Sequence, residues 1–185
     1  MGFAGRENFT FYGIMNHYFF ALMPEARFSR KIEELRSKLI GSKLVDALPP
    51  HLTLKRRFSL KQSFSEQNLK EVLNSFSLSK IIANNNKIER LGEVAAIKIK
   101  NIKLKEQHKK LYGLLRDMAI NINPEHEDDN FTAHLTLFRD PENRLSPNWN
   151  SLDIKKIVFN KICLYEIDPT PERHFAYIIK CRYLK

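Results

Sequence analysis

Cysteine is nearly missing from these 185 residues: Cys163 and Cys181 are the only two. They offer neither a disulfide framework nor the close spacing of a metal site, and their scarcity points to a reducing, intracellular and cytoplasmic location. Long apolar runs are missing as well. No stretch reaches the roughly 20 apolar residues needed to cross a bilayer, so no membrane partner is expected. Residues 1–15, MGFAGRENFTFYGIM, lack the basic start and unbroken apolar centre of a secretory leader. The N-myristoylation pattern is incomplete too, because Arg6 stands where Ser or Thr is wanted. These residues read as an N-terminal extension, and residues 16–185 as one domain.

What is plentiful supports a folded, basic domain. The chain is 43% hydrophobic with 13 Phe and 6 Tyr, enough for a sizeable core and too much for a disordered chain. Lys and Arg outnumber Asp and Glu by 31 to 21, a formal charge of +10 that suits an anionic partner such as a nucleic acid or nucleotide.

YFFALM at 18–23 reads as a buried strand ended by Pro24. EARFSRKIEELRSKLIG places Phe28, Ile32, Leu35 and Leu39 at helical spacing before Gly41. A second helix is announced by Ser65 with Leu69, Val72, Leu73 and Phe76. FSLSKII and EVAAIKIK read as strands on either side of the polar NNNK turn. A third helix is expected from about Lys105 to Ile120, then an acidic loop, PEHEDDN, and finally strands within LDIKKIVFNKICLYEI and HFAYIIKCRYL. Interspersed helices and alternating strands imply two small α+β lobes with antiparallel sheets, rather than a doubly wound parallel sheet. The approximate halves are 16–100 and 101–185.

Each half contains the tetrapeptide HLTL, at 51–54 and again at 134–137. In a strand Leu52 and Leu54 face one side while His51 and Thr53 face the other, about 6 to 7 Å apart along the chain. Leu135 and Leu137 oppose His134 and Thr136 in the same way. The leucines fasten each strand to a hydrophobic layer, and lobes meeting face to face bring two imidazoles and two hydroxyls into one cleft. A histidine titrating near pH 6.5 can take a proton while another gives one, and each such step is worth roughly 10²- to 10⁴-fold. A threonine hydroxyl can donate to a phosphate oxygen between them. The set suits cleavage of a phosphodiester.

PHLTLKRRF at 50–58 and AHLTLFRD at 133–140 resemble the duplicated His-x-Thr/Ser-x motif of the two-histidine phosphoesterase superfamily. Within it they look like the 2′-5′ RNA ligase-like, RNA 2′,3′-cyclic phosphodiesterase branch. HYFFALMP at 17–24 is similar to that family's opening strand and ICLYEI at 162–167 to the strand after its second motif. The resemblance implies a bilobal, pseudo-twofold α+β fold with two antiparallel sheets lining a central groove and helices on the outer faces. It implies catalysis by His51, Thr53, His134 and Thr136, with no metal and no cofactor. His134 would be the base and His51 the acid, opening a 2′,3′-cyclic phosphate on an RNA terminus or oligonucleotide to a 2′-phosphate, with reversible 2′-5′ RNA joining as a candidate second activity. The rival enzyme reading is a phosphodiesterase for a small cyclic-phosphate nucleotide or 2′-5′ oligoadenylate, and the non-enzyme rival an RNA-binding module. No obligatory protein partner follows.

Arg139 looks like the arginine that often follows the second motif, although a bend after Leu137 is needed to bring it to the groove. By alternation Lys55 and Arg57 share the face of His51 and are candidate substrate contacts. Tyr18 and Phe20 are candidate base-stacking residues, because their segment resembles the family's first central strand. Phe58, Tyr165 and Trp149 read as packing, His17, His108 and His174 as structural or exposed. The acidic loop around His126 lacks calcium-loop spacing.

Overall fold

The computed structural model describes residues 16–40, 48–84, 86–121, 127–139, 154–168 and 176–185. The apolar alternation of HYFFALMP becomes strand β1 (His17–Pro24), and Pro24, which cannot donate to a ladder, closes it. Helix α1 (Ala26–Ile40) buries Phe28, Ile32 and Leu35 at helical spacing. The first HLTL opens strand β2 (Leu52–Leu60). Ser65 then starts helix α2 (Glu66–Ser75), its backbone N–H donating to the Asn68 side chain at 2.9 Å.

Three strands follow rather than two: β3 (Ile81–Asn84), β4 (Lys87–Leu91) and β5 (Val94–Lys98). Gly92, at φ 58°, supplies the left-handed turn that folds Leu91 back onto Val94, so KIERL becomes a strand. Helix α3 (Ile102–Leu115) begins earlier than its apolar spacing suggests, because the Asn101 side chain accepts the Lys103 N–H at 3.0 Å. It also ends earlier. Ala119–Asn121 form strand β6, which pairs with Phe58–Leu60 of β2 instead of extending the helix to Ile120. The second HLTL opens strand β7 (His134–Arg139), and β8 (Lys156–Ile167) and β9 (Ala176–Tyr183) complete the described strands.

The result is an α+β fold around an open antiparallel sheet in the order β3-β8-β1-β2-β7-β5-β4, with β6 added to β2 and β9 to β8. Residues of all three helices join one hydrophobic cluster with Leu52, Leu54, Leu135 and Leu137, so the helices cover the face to which both leucine pairs point. A second, smaller cluster of Phe19, Ala21, Cys163 and Tyr165 lies on the opposite face. The two strands that begin with HLTL are neighbours in the sheet, yet they share a single register pair, Leu52 with Leu135. No described helix is long and apolar enough to cross a membrane.

One expectation from composition is corrected. Cys163 and Cys181 are cross-strand partners on β8 and β9 and form a disulfide, with Cα atoms 4.1 Å apart. Strand pairing brings together two residues that are 18 apart in the chain, so the cysteines give no argument for a reducing compartment. Expectations placed on residues 1–15, His126, Trp149 and His174 lie outside the described residues.

Candidate active site

Leu52 and Leu54 are 0% exposed, Leu135 0% and Leu137 1%, all within the helix-side cluster. Alternation therefore puts His51, Thr53, His134 and Thr136, each half-buried, on the helix-free face. Counting outward from the Leu52–Leu135 pair in an antiparallel ladder sets His51 opposite Thr136 and Thr53 opposite His134. An ideal ladder extended in this way would put the two histidines at opposite ends of one diagonal, Cα atoms about 8 Å apart.

Both rings are held in the same way. His51 Nδ1 lies 2.8 Å from the Pro49 carbonyl and His134 Nδ1 lies 2.8 Å from the Thr132 carbonyl, two residues back in each case. A carbonyl can only accept, so Nδ1 carries the hydrogen and Nε2 is left at the far end of each ring to exchange a proton. The surroundings then differ. His51 packs against Phe19, centroids 5.7 Å apart, and Tyr165, 6.3 Å apart. Burial holds its pKa below 6.5; the Pro49 hydrogen bond opposes this, while Arg36 and His134 push it further down. Phe19 and Tyr165 stack on each other at 4.6 Å, and burial raises the Tyr165 hydroxyl to about 12, keeping the phenol neutral.

A β-bulge lies at the end of each HLTL. Between Phe20 and Ala21 strand β1 advances one residue while β2 advances two, from Lys55 to Thr53. Between Ala95 and Ala96 strand β5 advances one while β7 advances two, from Phe138 to Thr136. A bulge lets consecutive side chains share a face. Leu54 and Lys55 are accordingly both buried, as are Leu137 and Phe138. Beyond the second bulge Arg139 emerges 76% exposed, beside Glu93 at 3.3 Å.

The first bulge corrects the placement of Lys55, which does not share the face of His51. Its side chain is 1% exposed and its Nζ lies 2.6 Å from Glu127 Oε1, over the rings of Phe58 and Tyr112. Burial lowers the Lys55 pKa and Glu127 raises it again. His108 of α3, fully buried and stacked on Phe131, completes the cluster, with Nδ1 2.7 Å from the Leu54 carbonyl and Nε2 3.4 Å from Glu127 Oε2. This cluster ties the first motif to the segment that leads into the second.

Arg57 is exposed after a further irregularity in β2. It lies close enough to His17 to add to the lowering that burial imposes there. Tyr18 and Phe20 are also displaced from the expected groove: they are 6% and 0% exposed in the helix-side cluster, whereas Phe19, one residue between them, meets His51. A strand buried on both faces gives no sequence signal for which aromatic set faces the site. Three further residues went unread. Arg56 is one, although HLTLKR and HLTLFR show that the repeat carries an arginine at its sixth position in both copies. Lys98 is another, the β5 register partner of His134, with Nζ 2.9 Å from Glu89 Oε2. Arg36 is the third. Among the described residues no group of three or more His, Cys, Asp or Glu is arranged to hold a metal ion.

No protein-family model and no curated protein sequence matches the chain. Solved structures do. A crystal structure of a phosphoesterase superposes with a TM-score of 0.66 at 17% identity, covering 92% of this chain and 99% of that one. E. coli LigT complexed with 3′-AMP gives 0.62 at 16% identity over 92% and 98%, and the protein TT0787 of Thermus thermophilus gives 0.61 at 13% over 91% and 97%. This chain shares their fold.

Proposed function

We propose that this protein is a two-histidine phosphoesterase that opens 2′,3′-cyclic phosphates at RNA or oligonucleotide termini without a metal. The observation that carries the reading is the matched pair of histidines: each Nδ1 is tied to the carbonyl two residues back, and the two rings share one face across a single-pair seam. The Leu52–Leu135 seam is the joint between two pseudo-twofold halves, each contributing one HLTL to the groove. That one solved structure of the same fold is a phosphoesterase and another, E. coli LigT, holds 3′-AMP adds support.

In this mechanism His51, held neutral in the free protein by burial and by Arg36, removes a proton from water as its oxygen attacks phosphorus. The P–O3′ bond breaks and His134 gives its proton to the 3′ oxygen, leaving a 2′-phosphate and a 3′-hydroxyl. These acid and base roles are the reverse of those the family resemblance implies, and the packing of Phe19 and Tyr165 on His51 supports them. Thr53 and Thr136 hydroxyls donate to the non-bridging oxygens, and Arg139 and Arg56 offset their charge. With a 5′-hydroxyl in place of water the same proton transfers form a 2′-5′ linkage.

The test is incubation with a 2′,3′-cyclic-phosphate-ended oligonucleotide in chelator, with the free cyclic mononucleotide and 2′-5′ oligoadenylate as parallel substrates. Conversion to a 2′-phosphate is expected, and His51→Ala and His134→Ala each reduce turnover by about 10²- to 10⁴-fold. No conversion of any of the three, or unchanged conversion by either variant, defeats the proposal. Preference for the oligonucleotide places the substrate at RNA ends, and preference for either small substrate reassigns it.

A further inference from the structure

One buried cation touches both motif segments without itself giving or taking a proton. Arg36 stands four residues after Ile32 on the apolar face of α1, where the hydrophobic pattern would place another aliphatic residue. It is 3% exposed. Its Nη1 donates to the Leu48 carbonyl at 2.9 Å and its Nη2 to the Thr136 carbonyl at 2.7 Å. Leu48 introduces the Pro49-Pro50-His51 turn, and Thr136 belongs to the second HLTL. One rigid guanidinium fork thus grips the entry to one motif and the backbone of the other, where the two strands share only the Leu52–Leu135 pair.

The arrangement is costly for a purely structural role. Arg36 Nε is buried without a hydrogen-bond partner among the described residues, and the acidic neighbour is Glu33, 3.4 Å from Nη1 and 45% exposed. Burial pulls the Arg36 pKa below its usual value while Glu33 opposes the shift. A leucine would fill a core position without that desolvation, but it would leave two carbonyls at the seam without this donor. Its charge also acts on His51. Among the described residues His51 meets Phe19 from β1, Tyr165 from β8 and the Pro49 carbonyl, and the charges that act on it are those of Arg36 from α1 and His134 from β7. Arg36 is the permanent cation of that set.

We propose that Arg36 is a positioning residue that fixes the spacing of the two HLTL segments and, through its charge near His51, adds to the setting that burial against Phe19 and Tyr165 gives that ring. The inference rests on the phosphodiesterase reading for its kinetic consequences, but not for its electrostatic one. A cation disfavours a second positive charge nearby, so removing it raises the pKa of His51. If neutral His51 is the base, the acidic limb of the kcat/KM profile moves to higher pH.

Arg36→Met and Arg36→Lys separate charge from geometry. In Arg36→Met the acidic limb is expected to rise by about half a pH unit or more, with kcat lowered at least about tenfold. In Arg36→Lys, which keeps the charge but cannot span both carbonyls as a planar fork, the limb stays and kcat falls by a smaller factor. The His51 titration followed by NMR in the free protein reads the same shift without substrate. A wild type with no turnover but a His51 titration that rises in Arg36→Met would sink the phosphodiesterase reading and keep the electrostatic role. Unchanged pH profile, kcat and His51 titration in both variants, with only a lower thermal midpoint, would reduce Arg36 to a structural residue and overturn the proposal. If Arg36→Met does not fold, Arg36→Gln serves as the neutral variant on the same criteria.

Discussion

HLTLKR in the first half and HLTLFR in the second are built alike up to a point. Both place leucines under the helices, both tie Nδ1 of the histidine to the carbonyl two residues back, and both bulge at the fourth and fifth residues. At the fifth position they part: the same turn into the core receives Phe138 in one copy and Lys55 in the other. A phenyl ring needs only apolar neighbours there. An ammonium needs a partner, and Glu127, itself buried, supplies it from the segment before the second motif. Two copies of one local geometry can therefore impose different long-range requirements, decided by whether the inward residue is charged.

The largest expected effect on stability tests that difference directly. Glu127→Ala leaves the Lys55 ammonium buried and unpaired and should cost about 3–5 kcal/mol in urea unfolding. The double variant Lys55→Met, Glu127→Met, which makes the first copy apolar like the second, should return to within about 2 kcal/mol of wild type. Phe138→Ala should cost about 3–5 kcal/mol by cavity formation. A double variant no better than Glu127→Ala would show that the pair does more than satisfy a buried charge.

The sixth position, where the copies agree again, gives an intermediate effect. Arg56→Ala and Arg139→Ala should each raise KM for an oligonucleotide substrate and reduce the slope of log affinity against log salt by about 1, with kcat less affected. Equal losses would mean that both halves hold the anion. A loss confined to Arg139 would restrict that contact to the second copy.

The smallest effect concerns protons near the first copy. His17, hydrogen-bonded to Ser59 at 2.7 Å, and His51 both have folded pKa values below 6.5, lowered in each case first by burial. The unfolded chain then binds protons before the folded one as pH falls through 6.5, so stability should decline from pH 7 toward pH 5. The urea midpoint measured across that range should flatten in a His17→Gln, His51→Gln double variant. An equally steep decline in that variant would assign it to other groups.

Much of the site was legible because alternation is a local rule. Leu52, Leu54, Leu135 and Leu137 had to point one way if HLTL was a strand, and His51, Thr53, His134 and Thr136 the other. The same rule misplaced Lys55, because a bulge breaks the period of two and arises from pairing with another strand. It could not choose between Tyr18 with Phe20 and Phe19 with Tyr165, since β1 is covered on both faces. Arg36 had only a faint signal, a charge at an apolar helical position.

By itself the sequence determined most of the elements: strands from period two, helices from their apolar spacing and caps, and two identical His-Thr presentations. Tertiary structure decided what those presentations became. The single Leu52–Leu135 pair joined the two motif strands, strand pairing joined Cys163 to Cys181 across 18 residues, and the fold brought Glu127 to Lys55 and Arg36 to both motifs. The physical reason is one of range. Backbone stereochemistry and burial periodicity act over a few neighbouring residues, whereas hydrogen-bond satisfaction and charge compensation depend on which distant groups the packed sheet and helices deliver to the same place.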